Sequence, residues 1–119
     1  VTVLVVEDDE HIQQFIRKAL TKEGYQVVSA ADGAAALPLI GQHRPALILL
    51  DMWMPTMDGY AFIHAYLTSY TERIPIVVMT ADHFTASNKE AAAAISGILI
   101  KPFGFDTLLS TVQKYAQPG

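Results

Sequence analysis

The stretch Ala46-Leu47-Ile48-Leu49-Leu50, closed by Asp51, is five apolar residues with no polar alternation, ending abruptly on an acid. A strand with one wet face alternates polar and apolar residues. A continuous run of this length is the pattern of a strand buried on both faces of a parallel sheet. Four further runs of the same kind follow that reading: Thr2 to Val6, Gln26 to Ala30, Ile76 to Thr80 and Gly97 to Lys101. Gln26 to Ala30 is the most polar and is expected at an edge.

Helical spacing fills the intervals. Ile12, Phe15, Ile16, Ala19 and Leu20 give an apolar face to a helix from about Glu10 to Glu23, stopped by Gly24. Phe62, Ile63, Tyr66 and Leu67 give a second face behind Asp58 as N-cap. Leu108, Leu109 and Val112 give a third behind Asp106 in the same role, and Asn88 to Ile95 is short and alanine-rich. Asp32 to Gln42 contains Pro38, which inside a helix costs about 3 kcal/mol. The helix there either starts late, with Pro38 in its first turn, or kinks at Pro38; the late start suits proline better and is the expectation. The alternation βαβαβαβαβα is a doubly wound α/β domain. Residues 1–119 are read as one domain, with no repeat or linker.

Composition narrows the chemistry. With 119 residues and 51% of them apolar, the chain can bury roughly two-thirds of its unfolded surface without disulfide or structural metal. It has no cysteine, which removes thiolate catalysis, Cys-ligated zinc and iron–sulfur clusters. Eight Lys and Arg against twelve Asp and Glu leave a net charge of −4, which argues against direct nucleic-acid binding. No uncharged apolar run approaches the roughly 18 residues of a membrane span, so no membrane association is expected. Val1 opens directly on a strand pattern, so no signal peptide is expected, and a start at Val rather than Met leads us to expect flanking sequence.

Ligands of open parallel sheets bind beyond the carboxyl ends of the strands, where strand order reverses. The first run ends in Glu7-Asp8, the third in Asp51, the fourth in Thr80 and the fifth in Lys101. In the common order 2-1-3-4-5 the first and third strands are neighbours at the reversal, which brings Glu7, Asp8 and Asp51 together. Three carboxylates in one pocket repel one another and call for a counter-charge. Hard oxygen donors with no Cys or His beside them point to Mg²⁺ or Mn²⁺. A carboxylate can also accept a phosphoryl group as an aspartyl phosphate, a transfer that depends on positioning and on neutralising oxygen charge. Asp9 and Glu10, by contrast, are read as the acidic start of a helix.

These residues resemble a known family, the receiver domains of two-component response regulators, whose fold is flavodoxin-like. Val3-Leu4-Val5-Val6-Glu7-Asp8-Asp9 looks like the family's opening motif. Leu50-Asp51-Met52-Trp53-Met54-Pro55-Thr56-Met57-Asp58-Gly59 is similar to its phosphoacceptor motif, and Met79-Thr80-Ala81 and Lys101-Pro102-Phe103 match the other two. The resemblance implies that Asp51 accepts a phosphoryl group from a histidine on a kinase or phosphotransfer protein. Asp8, Asp51 and the backbone carbonyl of Trp53 would hold Mg²⁺ (or Mn²⁺), with Glu7 acting directly or through water. Thr80 and Ala81 would meet the phosphoryl group, Lys101 would pair with it, and the Lys101-Pro102 bond would be cis. It further implies a cytoplasmic switch acting on a downstream protein or output domain, as a monomer or a phosphorylation-dependent dimer. Enzymatic activity would be limited to self-catalysed phosphoryl acceptance and loss.

Two positions depart from the family pattern. Ile98 stands where the family commonly has an inward-turning aromatic, so the signal is expected to travel through the backbone of residues 80–84 and the short fourth helix. Trp53 and Asp82 occupy the positions that flank the attacking water, and slow-to-moderate self-dephosphorylation is expected. His11, His43, His64 and His83 sit at no metal-ligand spacing and are read as surface residues. Met52, Met54 and Met57 are read as packing, Tyr60 and Tyr66 as further members of the third helix, and Tyr70 as an amphipathic surface cover. The alternative to a phosphorylated switch is an interaction module that keeps the fold without the chemistry. A phosphohydrolase would want a second aspartate two residues after Asp51, where Trp53 stands.

Overall fold

The computed structural model describes residues 1–54, 57–81 and 84–116. Its elements run β1 (Thr2–Val6), α1 (Glu10–Lys22), β2 (Gln26–Ala30), α2 (Gly33–His43), β3 (Leu47–Asp51), α3 (Gly59–Ser69), β4 (Ile76–Thr80), α4 (Lys89–Ala94), β5 (Ile95–Ile100) and α5 (Phe105–Tyr115). The five strands are all parallel, in the order β2-β1-β3-β4-β5. This is the flavodoxin-like doubly wound arrangement, with β2 and β5 at the edges. Among the described residues no helix is long and apolar enough to cross a membrane.

The unbroken apolar runs are explained by two separate cores. Val3, Val5, Leu47, Leu49, Val77 and Met79 pack with Ile16 and Leu20 of α1 and Leu108 and Val112 of α5. The alternate residues Leu4, Val6, Ile48, Leu50, Ile76 and Val78 pack with Ala36 and Ile40 of α2, Phe62, Ile63 and Tyr66 of α3, and Ala91 of α4. Each central strand therefore buries both faces, and polar alternation has no place in it. Asp9 caps α1 by accepting from the backbone N–H of His11 at 2.8 Å, and Asp58 caps α3 through Ala61 at 2.9 Å. Gly24, at φ 91°, takes the left-handed conformation that ends the turn after α1.

The structure corrects the reading of residues 32–42. The second helix does not start late: it begins at Gly33, with Pro38 in its interior. Asp32 caps it by accepting from the Ala35 N–H at 2.8 Å, and Ala36 and Ile40 bury against the sheet. The carbonyl that Pro38 leaves without its N–H belongs to Ala34, and both residues are exposed, so solvent can meet it. Capping and burial at both ends outweigh one lost bond on the wet face. Pro38→Ala should therefore stabilise the protein by about 2 kcal/mol, the interior proline penalty less the entropy that proline removes from the unfolded chain. Urea denaturation checks this, and an unchanged midpoint would mean that the helix has already relaxed around the proline.

The last helix is capped by Gly104, not Asp106: the Leu108 N–H donates to the Gly104 carbonyl, and Asp106 lies in the first turn, where its charge suits the helix dipole. The fifth strand begins at Ile95, directly after α4, because Ser96 is accommodated as a register shift between Ile76 and Val77 of β4. Tyr70 is more than a cover, since its hydroxyl donates to the Leu37 carbonyl of α2 at 2.6 Å.

Candidate functional site

The register sets the site. Val5 pairs with Leu49 and Val6 with Leu50, so the next step along β1 and β3 brings Glu7 beside Asp51. Both carboxylates fall in phase with Val5 and Leu49, on the α1 and α5 side of the sheet. Asp8 follows at the turn into α1. One carboxylate oxygen from each of Glu7, Asp8 and Asp51 lies within 4.8 Å of the others. Glu7 is fully buried and Asp51 is 5% exposed, whereas Asp8 is open to solvent.

Lys101, one residue past β5, closes the site from the other side. Its Nζ lies 2.7 Å from Glu7 Oε1 and 3.5 Å from Asp51 Oδ2, so in this state the ammonium is bonded to Glu7 first. The Lys101 N–H donates to the Thr80 carbonyl at 2.7 Å, which ties the end of β4 to the same corner; the Lys101-Pro102 bond is cis. Thr80 is the last residue of β4 and only 3% exposed, with Ala81 exposed beyond it. The Trp53 N–H donates to Asp51 Oδ1 at 3.1 Å, and the Asp9 N–H to Glu7 Oε2 at 3.2 Å.

One ammonium does not balance three carboxylates, and the titration of Glu7 reflects it. Burial disfavours its charged form, and the hydrogen bond and charge of Asp51 add to that. The bonds from Lys101 and from the Asp9 N–H only partly offset them, and the pKa is pushed from 4.5 up to about 7. Lys101 is pulled down by its own burial, but the bond and charge of Glu7, with Asp51 behind, hold it above the usual lysine value. The donor set is all carboxylate oxygen, with a deficit of positive charge, and fits a hard divalent cation.

Trp53 is 64% exposed and lines a groove with Tyr60, Thr80, Ala81 and Phe84. Ile98 is half-exposed on the β5 edge. Asp82 and His83 lie outside the described residues, as do Pro55 and Thr56 of the phosphoacceptor-like segment. Met52 and Met54 are buried and Met57 packs on the same core. His11, His43 and His64 are exposed; His64 Nδ1 lies 2.9 Å from the Glu90 carboxylate, joining α3 to α4. Sequence reasoning missed two contacts. Gly59 packs directly on Met52, the residue after Asp51, and Gln13 of α1 donates from its side chain to the Glu7 carbonyl. The capping position of Asp58 hinted at the first; nothing distinguishes Gln13 from Gln14 in the string.

Comparison with known proteins identifies the family. The family profile described as the response regulator receiver domain matches residues 3–113. The chain is 36% identical over 114 residues to the response regulator MprA of Mycobacterium sp. (strain KMS), covering 95% of this chain and 49% of that protein. It is 34% identical over 116 residues to sporulation initiation phosphotransferase F of Bacillus subtilis, covering 95% and 91%. The chain thus spans about half the length of the mycobacterial relatives it matches. Among solved structures, the chemotaxis protein CheY4 of Vibrio cholerae superposes with a TM-score of 0.86 at 35% identity, covering 97% of this chain and 98% of that one. With matching strand order, an acidic cluster at the switch point and a profile match over nearly its whole length, the chain belongs to the response regulator receiver domain family.

Proposed function

We propose that residues 1–119 form one receiver domain in which Asp51 accepts a phosphoryl group from a phosphohistidine on a histidine kinase or phosphotransfer protein, in the cytoplasm. In that transfer the P–N bond breaks as a P–O bond forms to the Asp51 carboxylate, and the electron pair returns to the imidazole. The observation that carries the reading is the convergence of Glu7, Asp8 and Asp51 within 4.8 Å, with Lys101 3.5 Å from Asp51. Asp8, Asp51 and the carbonyl of Trp53 would hold Mg²⁺ (or Mn²⁺), with Glu7 beside them. Bound there, the ion would offset the carboxylate charge and neutralise phosphoryl oxygens.

The chain's own groups then have distinct tasks. Lys101 exchanges part of its bond with Glu7 for one to a phosphoryl oxygen. The Thr80 hydroxyl and the Ala81 N–H, at the end of the adjacent strand, supply further donors. Trp53 and Asp82 tune the access of water and hence the lifetime of the acyl phosphate. With Ile98 already half-exposed, the population shift passes to the downstream partner or output domain through residues 80–84 and α4.

Trp53 is the single tryptophan and adjoins Asp51 through its backbone, so its fluorescence reads the site. Mg²⁺ followed by beryllofluoride or a small-molecule phosphodonor should change the emission. The phosphodonor should add one phosphoryl mass to the wild type and none to Asp51→Asn. A fluorescence response without modification would leave a metal-binding interaction module; no response to any of the three would leave an interaction module without the metal.

A further inference from the structure

β1 pairs with β2 and β3 only as far as Val6, so the Glu7 carbonyl is the first acceptor past the end of the ladder. Two residues later, Asp9 is committed to capping α1, and its own N–H is held by Glu7 Oε2. Asp8 therefore hangs on a short turn whose two ends decide where its carboxylate goes. The Glu7 N–H is fixed to the Ala30 carbonyl of β2 at 3.0 Å. The Glu7 carbonyl is taken by Nε2 of Gln13, from the first turns of α1, and the same nitrogen lies 3.4 Å from the Ala30 carbonyl. One side-chain amide thus joins α1 to the ends of β1 and β2 at the peptide that carries Asp8. Gln13 is half-buried there, so water competes poorly for that carbonyl.

We propose that Gln13 is a positioning residue for the acidic site: its amide holds the Glu7 carbonyl and so sets the direction in which Asp8 presents its carboxylate to Glu7 and Asp51. It touches neither the phosphoryl group nor the ion and acts only through the backbone of Glu7. The inference rests on the cation-binding reading above. Groups that orient ligands from behind commonly change metal affinity by 10- to 100-fold when removed. Here one of several restraints on the turn is lost, and the lower end of that range is expected.

The test is Mg²⁺ affinity of the folded protein, measured by calorimetry at pH 8. Gln13→Met keeps the length of the side chain and removes the donor; it should weaken Mg²⁺ about tenfold. Gln14→Ala, one residue on and exposed, should leave affinity unchanged. Thermal melts without Mg²⁺ run alongside, because a merely structural role would lower the melting temperature and leave the dissociation constant alone. Should Gln13→Met fail to fold, Gln13→Asn, one methylene too short to reach, serves the same comparison. Unchanged affinity in a folded Gln13 variant overturns this inference and spares the cation site. A wild type that binds no Mg²⁺ overturns both.

Discussion

Gly59→Ala should cost about 3 kcal/mol of stability and lower the melting temperature by roughly 10 °C, because among the described glycines it alone would set a Cβ within 3.0 Å of another residue's backbone. A Cβ at Gly59 would lie 2.7 Å from the Met52 Cα and 2.3 Å from its sulfur. The sulfur can swing away; the backbone cannot, because the Gly59 N–H donates to the Met52 carbonyl at 3.0 Å and Met52 is completely buried. The helix propensity that alanine adds, about 1 kcal/mol, offsets only part of this. The strain falls on the residue that follows Asp51, so Mg²⁺ affinity should fall with stability. Gly104→Ala is the comparison: a Cβ there meets nothing within 4 Å, so only the N-cap preference for glycine over alanine is lost and the cost should be clearly smaller. Equal denaturation midpoints for the two variants would show that α3 can lift from β3 at no cost.

The apparent dissociation constant for Mg²⁺ should be about tenfold weaker at pH 6 than at pH 8. Glu7 is fully buried with its pKa pushed up to about 7, so below that pH it enters the site carrying a proton that the ion must displace or tolerate. Affinity should fall tenfold per unit well below pH 7 and level off above it. The same proton shapes stability without metal. A carboxyl raised from 4.5 to about 7 on folding has no effect below the lower value, where folded and unfolded chains both hold the proton. It opposes folding increasingly between pH 4.5 and 7, by about 3 kcal/mol in full. Lys101, raised above the usual lysine value, contributes evenly across this window, and its share is lost only in strong alkali. Glu7→Gln should therefore flatten both profiles: metal-free stability no longer falls from pH 5 to 7, and Mg²⁺ affinity loses most of its pH slope. A slope that persists in Glu7→Gln would assign the proton to another group.

Much of this was legible in the order of residues because strands buried on both faces leave short unbroken apolar runs, and a length of about five residues separates them from buried helices. The run from Leu47 to Leu50 reads as buried because both its faces meet helices, and the acids stand out because they follow such runs directly. Local signals failed where two of them competed for the same stretch. Pro38 argues locally for a late helix start, yet the Asp32 cap and the burial of Ala36 and Ile40 carry α2 through it. Asp106 looks like a cap, yet the chain enters α5 at Gly104.

The alternation of elements, the two-sided burial of the central strands, and the standing of Glu7, Asp8, Asp51, Thr80 and Lys101 at strand ends are all readable in the order of residues. Periodicity and length are properties of neighbours along the chain, and a string of residues holds them; capping it holds only in part, as Gly104 and Asp106 show. How those ends relate depends on the folded chain: the register that sets Glu7 against Asp51, the bond from Lys101 to Glu7 ahead of Asp51, the contact of Gly59 with Met52, and the reach of Gln13 to the Glu7 carbonyl. Lys101 and Glu7 are 94 residues apart, and the raised pKa of Glu7 exists only because folding removes water from a group whose partners are Asp51 at the end of β3, Lys101 just past β5 and the N–H of Asp9 before α1.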